Sequence, residues 1–195
     1  MLILGLTGKT GAGKSTVAAY LNKKGSFIID GDKVAREIVL PSSSALSELA
    51  EAFGEDIILS DGSLDRKALA ARAFSSREKT ELLNSITHPH IKRRFQELLA
   101  EGEREGFAVA VIDAAALLES DCRELCEKII VVHADEELRL QRILARDGIS
   151  REQAMTRIKG QRDDNYYFRQ ADIIIYNNEQ GGLETELDKL KELIP

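Results

Sequence analysis

The chain has 195 residues, a length that suits one core with insertions, since domains run to about 100–200 residues. Hydrophobic residues make up 43%, too many for a disordered chain, and charged residues 31%, too many for a membrane-embedded one. With 27 basic against 33 acidic side chains the net charge is −6, which excludes an overall nucleic-acid-binding footprint. Residues 1–7 are a short apolar run followed by glycine and predict a buried strand. Gly8 to Gly13 form a glycine-rich turn, and residues 14–21 continue with helical spacing that closes near Gly25. A second strand over residues 26–29 leads to Asp30, Gly31 and Asp32, completing a βα unit of a parallel sheet.

From 33 to 105 little reads as strand. Helical patterns cover 34–40, 45–53, 66–74, 77–86 and 90–103, with breaks at Pro41, Gly54, Gly62 and Pro89. Such a stretch inside a βα series predicts an inserted helical cap over a binding cleft. Strands resume at 107–112, before Asp113, and at 128–133. Helices follow over 136–146 and 151–161, then a last strand at 171–177 and an amphipathic helix at 183–193. The fold class is α/β, a parallel sheet flanked by helices.

Gly8, Gly13, Lys14 and Ser15 satisfy the pattern glycine, four residues, glycine, lysine, serine or threonine. The spacing has a chemical reason. Glycines let backbone N–H groups curl around phosphate oxygens without Cβ clashes, and the next helix adds the positive end of its dipole. Lys14 then reaches the β- and γ-phosphates, and the Ser15 hydroxyl is available to Mg²⁺. Gly8, Gly11, Ala12, Gly13, Lys14, Ser15 and Thr16 are the nucleotide-binding set.

Asp30 and Asp32 follow the second strand and Asp113 the third. Carboxyl ends of parallel strands are where α/β proteins place ligands, and phosphoryl transfer to a hydroxyl uses a carboxylate to orient or accept the proton. An Asp here also suits a helix cap or turn, and spacing alone does not say which of the three is the base.

At this point the chain resembles the dephospho-coenzyme A kinases of the P-loop kinase superfamily, along nearly its whole length. The matching residues begin with Gly5 to Gly8, Gly13 to Thr16, Ile29 to Asp32, Ala35 with Arg36, and His88 with Pro89 and Ile91. They continue through Asp113, Leu117 to Glu119, Arg142, Arg146 to Gly148, Arg157, Gln161, Ala171 with Asp172, and Asn177. The resemblance implies ATP-dependent phosphorylation of the ribose 3′-hydroxyl of dephospho-coenzyme A, the last step of coenzyme A synthesis. It implies a nucleotide-binding core (1–32, 106–138 and 170–195), a helical substrate-binding insertion (33–105) and a lid (139–169). It further implies Asp32 as catalytic base with Asp30 close by, Arg142 and Arg146 meeting ATP, and Arg36, His88 and Asp113 at the acceptor. Lys14 and Arg142 complete the catalytic set. The chain departs from the family pattern at Ala115 and Ala116, where a proline and a larger apolar residue are usual. It departs again at 165–169, usually rich in Glu and Lys, and at Lys9 and Thr10, usually small then aliphatic.

Residues 139–169 carry eight basic and four acidic side chains, a local charge of +4 in a chain of net −6. Arginine suits phosphate because its planar fork binds two oxygens and never loses charge. Arg142 and Arg146, four apart, share a helix face. Arg157 reads as structural, and Arg139 and Arg151 as surface residues. Tyr166, Tyr167 and Phe168 read as packing between lid and core, with stacking on adenine as the alternative.

The two cysteines, Cys122 and Cys126, are too few for a secreted mini-domain and sit at one-helix-face spacing with no second pair to complete a zinc site. Pro89 reads as the first residue of a helix, and His133 as structural. The N-terminus lacks a signal peptide's charged start and long apolar stretch, and no apolar run approaches the ~18 residues of a membrane span. A cytoplasmic enzyme with small-molecule substrates follows, with no membrane or nucleic-acid partner and the oligomeric state open. Two other readings share the phosphate loop: a nucleoside or nucleotide kinase with a different acceptor, and a regulatory P-loop NTPase.

Overall fold

The computed structural model describes residues 1–178 and 182–194. Residues 179–181 and 195, which fall within the expected core, lie outside the described residues. The chain divides into two compact units, residues 1–30 with 99–195 and residues 31–98.

The first unit is built on a five-stranded parallel sheet of β1 (Leu2–Gly8), β2 (Phe27–Asp30), β3 (Val109–Asp113), β4 (Lys128–His133) and β5 (Ile173–Tyr176). The spatial order is β2-β3-β1-β4-β5, so β1 lies at the centre. A parallel sheet covered on both faces needs continuous apolar strands, and Leu4, Leu6, Val111, Ile130 and Val132 are all buried accordingly. The helix α1 (Lys14–Lys23) buries Val17, Ala18 and Leu21 in the same core, at the i, i+4 spacing of one helix face. Register fixes the functional edge. Leu6 pairs with Asp113, and Asp113 in turn pairs with Asp30.

The second unit is helical: α2 (Gly31–Glu37), α3 (Ser44–Phe53), α4 (Arg66–Ala73) and most of α5 (Arg77–Arg104). Its core joins Leu49, Ala50, Phe53, Ile57, Leu69 and Ala73, with Leu83 and Ile86 of α5 packed against them. Ser43 caps α3 by accepting from the Leu46 N–H, and Asp65 caps α4 by accepting from Lys67 and Ala68.

Three sequence expectations are corrected. The helix predicted to end before Pro89 and restart at it is one unbroken α5 with Pro89 inside. Apolar anchoring on both sides of the proline, by Leu83 and Ile86 before it and the buried Phe95 after it, outweighs the lost backbone bond. The C-terminal helix is α only over Leu183–Leu187 (α9) and tightens to 3-10 geometry over Asp188–Leu193. Cys122 and Cys126 do not share a helix face: Cys122 lies in a 3-10 turn and Cys126 in the extended residue after it, both buried and neither in a disulfide.

After β4 the chain forms α6 (Glu136–Asp147), α7 (Arg151–Lys159) and the short α8 (Asp164–Phe168). The turn between α6 and α7 uses Gly148 in the left-handed region and a capping box from Ser150 and Gln153. Leu140, Ile143, Ala154 and Ile158 give this helical hairpin its own small core. Among the described residues, no helix is long and apolar enough to cross a membrane.

Candidate active site

The glycine turn lies between β1 and α1, as the spacing predicts. Gly11 and Gly13 adopt φ of 78° and 94°, the left-handed region that L side chains avoid. A Cβ on Gly11 would stand 2.7 Å from the Arg139 carbonyl, and one on Gly13 would strike the Asn177 side-chain amide. The loop is therefore a cradle whose shape depends on missing side chains. The first turn of α1 adds the N–H groups of Lys14 and Ser15, which helix geometry leaves without intrahelical acceptors. Such a turn fits a phosphate chain.

Lys14 leads from this turn to the sheet edge, where its ammonium pairs with the Asp113 carboxylate. Asp113 is half-buried at the end of β3, and its strand partner Asp30 is exposed at the end of β2. Residues paired across parallel strands point to the same face, so two carboxylates stand side by side at the mouth of the loop. Asp32, Arg36 and His88 lie in the helical unit: Asp32 and Arg36 are exposed on α2, and His88 is half-buried on α5.

The arginines divide by geometry. Arg142 of α6 is turned onto the loop, donating to the carbonyls of Gly11 and Ala12 at 3.3 Å each and to the Asn177 carbonyl at 3.1 Å. Asn177, just beyond β5, donates through Nδ2 to the Ala12 carbonyl at 2.8 Å. Arg146 instead pairs with Asp147 at 2.7 Å, and Arg157 reaches the same carboxylate at 2.7 Å. The hydrogen bonds and charge of Arg146, with the charge of Arg157, hold Asp147 below the usual carboxylate range against a smaller opposing push from burial. The structure thus brings Arg142 to the nucleotide cradle and leaves Arg146 anchored at the α6–α7 turn.

Arg139 is the fourth correction. Expected at the surface, it is only 3% exposed, and its Nε has no hydrogen-bond partner among the described residues. Burial pushes its guanidinium pKa down, partly countered by the charges of Asp164, Glu136 and Tyr167. Its backbone and Cβ lie against Gly11, so the buried residue is packed next to the loop.

Two contacts invisible to motif reading tie the loop to the segment after α7. The Thr10 N–H donates to Gln161 Oε1 at 3.0 Å, and Lys9 Nζ pairs with Asp164 at 2.7 Å. Burial pushes the Asp164 carboxyl up. The hydrogen bond and charge of Lys9, with the charges of His133 and Arg139, more than offset it and leave the group below its ordinary range. His133 stands 3.6 Å from Asp164 and packs its ring against Phe168 and Tyr176, with centroids 5.2 and 5.6 Å apart. Tyr167 is buried, and the Tyr166 hydroxyl donates to the Leu118 carbonyl at 2.9 Å. Of the run Tyr166 to Phe168, only Tyr167 is packed into the core; Tyr166 and Phe168 are half-buried.

The donor set at the sheet edge also suits a hard cation. The Ser15 hydroxyl and the two carboxylates are oxygen ligands, and no group of three or more His, Cys, Asp or Glu gathers as a closed cage among the described residues. Mg²⁺ is bound in this way, through one or two protein oxygens with water and substrate phosphates supplying the rest.

The comparisons with known proteins follow the same chemistry. The family pattern described as dephospho-CoA kinase matches residues 2–182. A dephospho-CoA kinase of Corynebacterium glutamicum is 46% identical over 178 residues, 91% of this chain and 89% of that one. One from Geobacter sulfurreducens is 40% identical over 194 residues, 100% of this chain and 97% of that one. A crystal structure from Thermus thermophilus superposes with a TM-score of 0.79 at 31% identity, covering 98% of this chain and 95% of that one. A dephospho-CoA kinase from Campylobacter jejuni gives 0.62 at 28% identity, with 98% and 96% covered. The fold alone is shared with a shikimate kinase from Bacteroides thetaiotaomicron, at a TM-score of 0.53 and 17% identity over 98% and 97% of the two chains. A phosphate cradle at the end of β1, an acidic sheet edge and a sequence match over nearly every residue lead to one statement: the chain belongs to the dephospho-CoA kinase family.

Proposed function

We infer that the chain transfers the γ-phosphoryl group of ATP to the ribose 3′-hydroxyl of dephospho-coenzyme A, giving coenzyme A and ADP in the last step of coenzyme A synthesis. The observation that carries this is the family match over residues 2–182 on a chain whose phosphate loop and Lys14 open beside Asp113.

Each residue's part follows from its chemistry. The loop N–H groups from Gly8 to Thr16 hold the phosphate chain, and Lys14 leaves Asp113 to neutralise charge on the β- and γ-oxygens. Ser15 is the protein ligand for Mg²⁺, which supplies further charge neutralisation at the phosphates. Arg142 stabilises the transferring group from the opposite side, and Arg146 joins it when its Asp147 pair opens. Asp32 is the general base that orients and deprotonates the 3′-hydroxyl, with Asp30 and Asp113 adding negative charge at the sheet edge. Arg36 and His88 bind the acceptor. Residues 33–105 act as the acceptor-binding insertion and 139–169 as a lid that excludes water, so that ATP is not wasted on hydrolysis. The enzyme works in the cytoplasm on small molecules alone.

A coupled ADP-release assay against dephospho-coenzyme A, nucleosides and nucleoside monophosphates tests the acceptor. A rate that rises steeply only with dephospho-coenzyme A is expected. Stimulation by a nucleoside monophosphate instead would reassign the chain to nucleotide kinase chemistry.

A further inference from the structure

Two places where the chain departs from its family pattern are brought together. Tyr166, inside the altered run 165–169, donates its hydroxyl to the Leu118 carbonyl at 2.9 Å, two residues beyond the altered pair Ala115 and Ala116. Both alanines are exposed, and the Ala115 carbonyl accepts from the buried Thr7 hydroxyl at 3.2 Å, next to the phosphate loop. The altered run is tied to the same loop from its other side by Lys9–Asp164 and Thr10–Gln161.

A recess of about 450 Å³ opens here, lined by Arg162, Asp163, Asn165, Tyr166, Arg169 and Gln170. Its charge is not cancelled internally. The Arg162 guanidinium lies over the Tyr166 ring, 5.6 Å from its centroid, which holds the fork in place without neutralising it. Neither Arg162 nor Arg169 has an ion pair among the described residues. The one carboxylate in the lining, Asp163, is engaged as the cap of α8, accepting from the Tyr166 N–H at 2.8 Å. Gln170 donates through Nε2 to the Tyr166 carbonyl at 3.0 Å. Two guanidinium forks without ion pairs among the described residues, side-chain amides and an aromatic wall form a site for phosphoryl oxygens, and two forks in one recess match the two phosphoryl groups of a diphosphate.

We propose that this recess is a subsite for the diphosphate of the acceptor, with Arg162 and Arg169 as its specificity-determining cations. The reading rests on the proposed reaction, because dephospho-coenzyme A brings a 5′-diphosphate that the ATP cradle is not built to hold.

The test is steady-state kinetics of the full chain and its Arg162→Gln/Arg169→Gln double variant, with dephospho-coenzyme A and ATP varied in turn and inorganic diphosphate as inhibitor. Loss of two charge-assisted contacts predicts a KM for dephospho-coenzyme A raised about tenfold or more, with KM for ATP within about twofold and inhibition by diphosphate weakened. Arg162→Lys, which keeps the charge but not the fork, should recover part of the loss. Unchanged acceptor KM in the double variant overturns the subsite, and so does a rise confined to the ATP KM, which assigns the recess to the nucleotide. If the unaltered chain does not turn over dephospho-coenzyme A at all, it is the proposed reaction that fails. Thermal melts of both variants separate lost binding from lost folding.

Discussion

The Lys14 ammonium is paired with the Asp113 carboxylate, so the phosphate-seeking cation and the acid at the end of β3 occupy each other before nucleotide arrives. The nucleotide must break that pair to gain its lysine. Asp113→Asn is therefore expected to bind ADP a few-fold more tightly while its turnover falls by tenfold or more. Calorimetry with ADP checks the first outcome and single-turnover transfer the second. Lys14→Met is expected to lower transfer by about 10³-fold, on the scale of losing a preorganised charge at the phosphates.

Arg142 supports the loop before it serves the reaction, through its bonds to Gly11, Ala12 and Asn177. Charge-assisted bonds of this kind are worth about 1.5–3 kcal/mol when partly buried. Arg142→Ala should therefore lower both the melting temperature, by several degrees, and turnover, by about 10²-fold. A variant with normal turnover but a lowered melting point would confine Arg142 to a structural role.

Asp164→Asn removes the carboxylate that holds Lys9. The folded-state carboxyl pKa lies below its unfolded value, so the stabilisation is present above the ordinary value of 3.8 and is lost as pH falls through the folded-state value. Because the pair is partly exposed, about 0.5–1 kcal/mol is expected near neutrality. Urea melts of the unaltered chain and the variant should differ at pH 7 and converge near pH 2. A gap that persists in acid would mean that the substituted amide perturbs packing rather than charge.

Burial pushes the Cys126 thiol from an ordinary 9.0 up to about 12, with the nearby Arg123 charge working against it. The folded state thus keeps a proton that the unfolded chain releases, so stability falls as pH rises from 9.0 towards 12. Native protein at pH 8 should react slowly with a disulfide reagent and quickly once unfolded in guanidinium. Rapid native labelling of Cys126 would show that its pocket opens.

Pro89 costs α5 a backbone hydrogen bond inside a 28-residue helix. Pro89→Ala should add about 1–3 kcal/mol, measured by urea unfolding, since the flanking apolar contacts already hold the helix together. A destabilised variant would show that the surrounding residues are packed to a proline-induced bend.

Much of the fold is legible in the chain because its signals are local. The run from Leu2 to Gly8 is apolar, the turn after it demands glycine at Gly11 and Gly13, and α1 shows its apolar face at Val17, Ala18 and Leu21. The aspartates at the ends of β2 and β3 are legible for the same reason. What escapes is set by partners distant in sequence. Arg139 reads as a surface residue because its charge says so, yet it is buried with its backbone against Gly11. Arg142 and Arg146 look alike four residues apart, and only Ala12 and Asn177 on one side and Asp147 on the other separate them. Pro89 reads as a break because its local cost is plain, whereas the apolar contacts that outweigh it come from α3 and α4. The Tyr166–Leu118 bond joins segments 48 residues apart and leaves no mark in either.

The most direct measurement is phosphorus NMR of the product formed from ATP and dephospho-coenzyme A. The expected result is a new phosphomonoester on the ribose 3′-oxygen with one ADP released for each, absent when Asp32→Asn replaces the unaltered chain. ADP and inorganic phosphate appearing with no phosphorylated acceptor, or a phosphate on another hydroxyl, would contradict the proposed reaction.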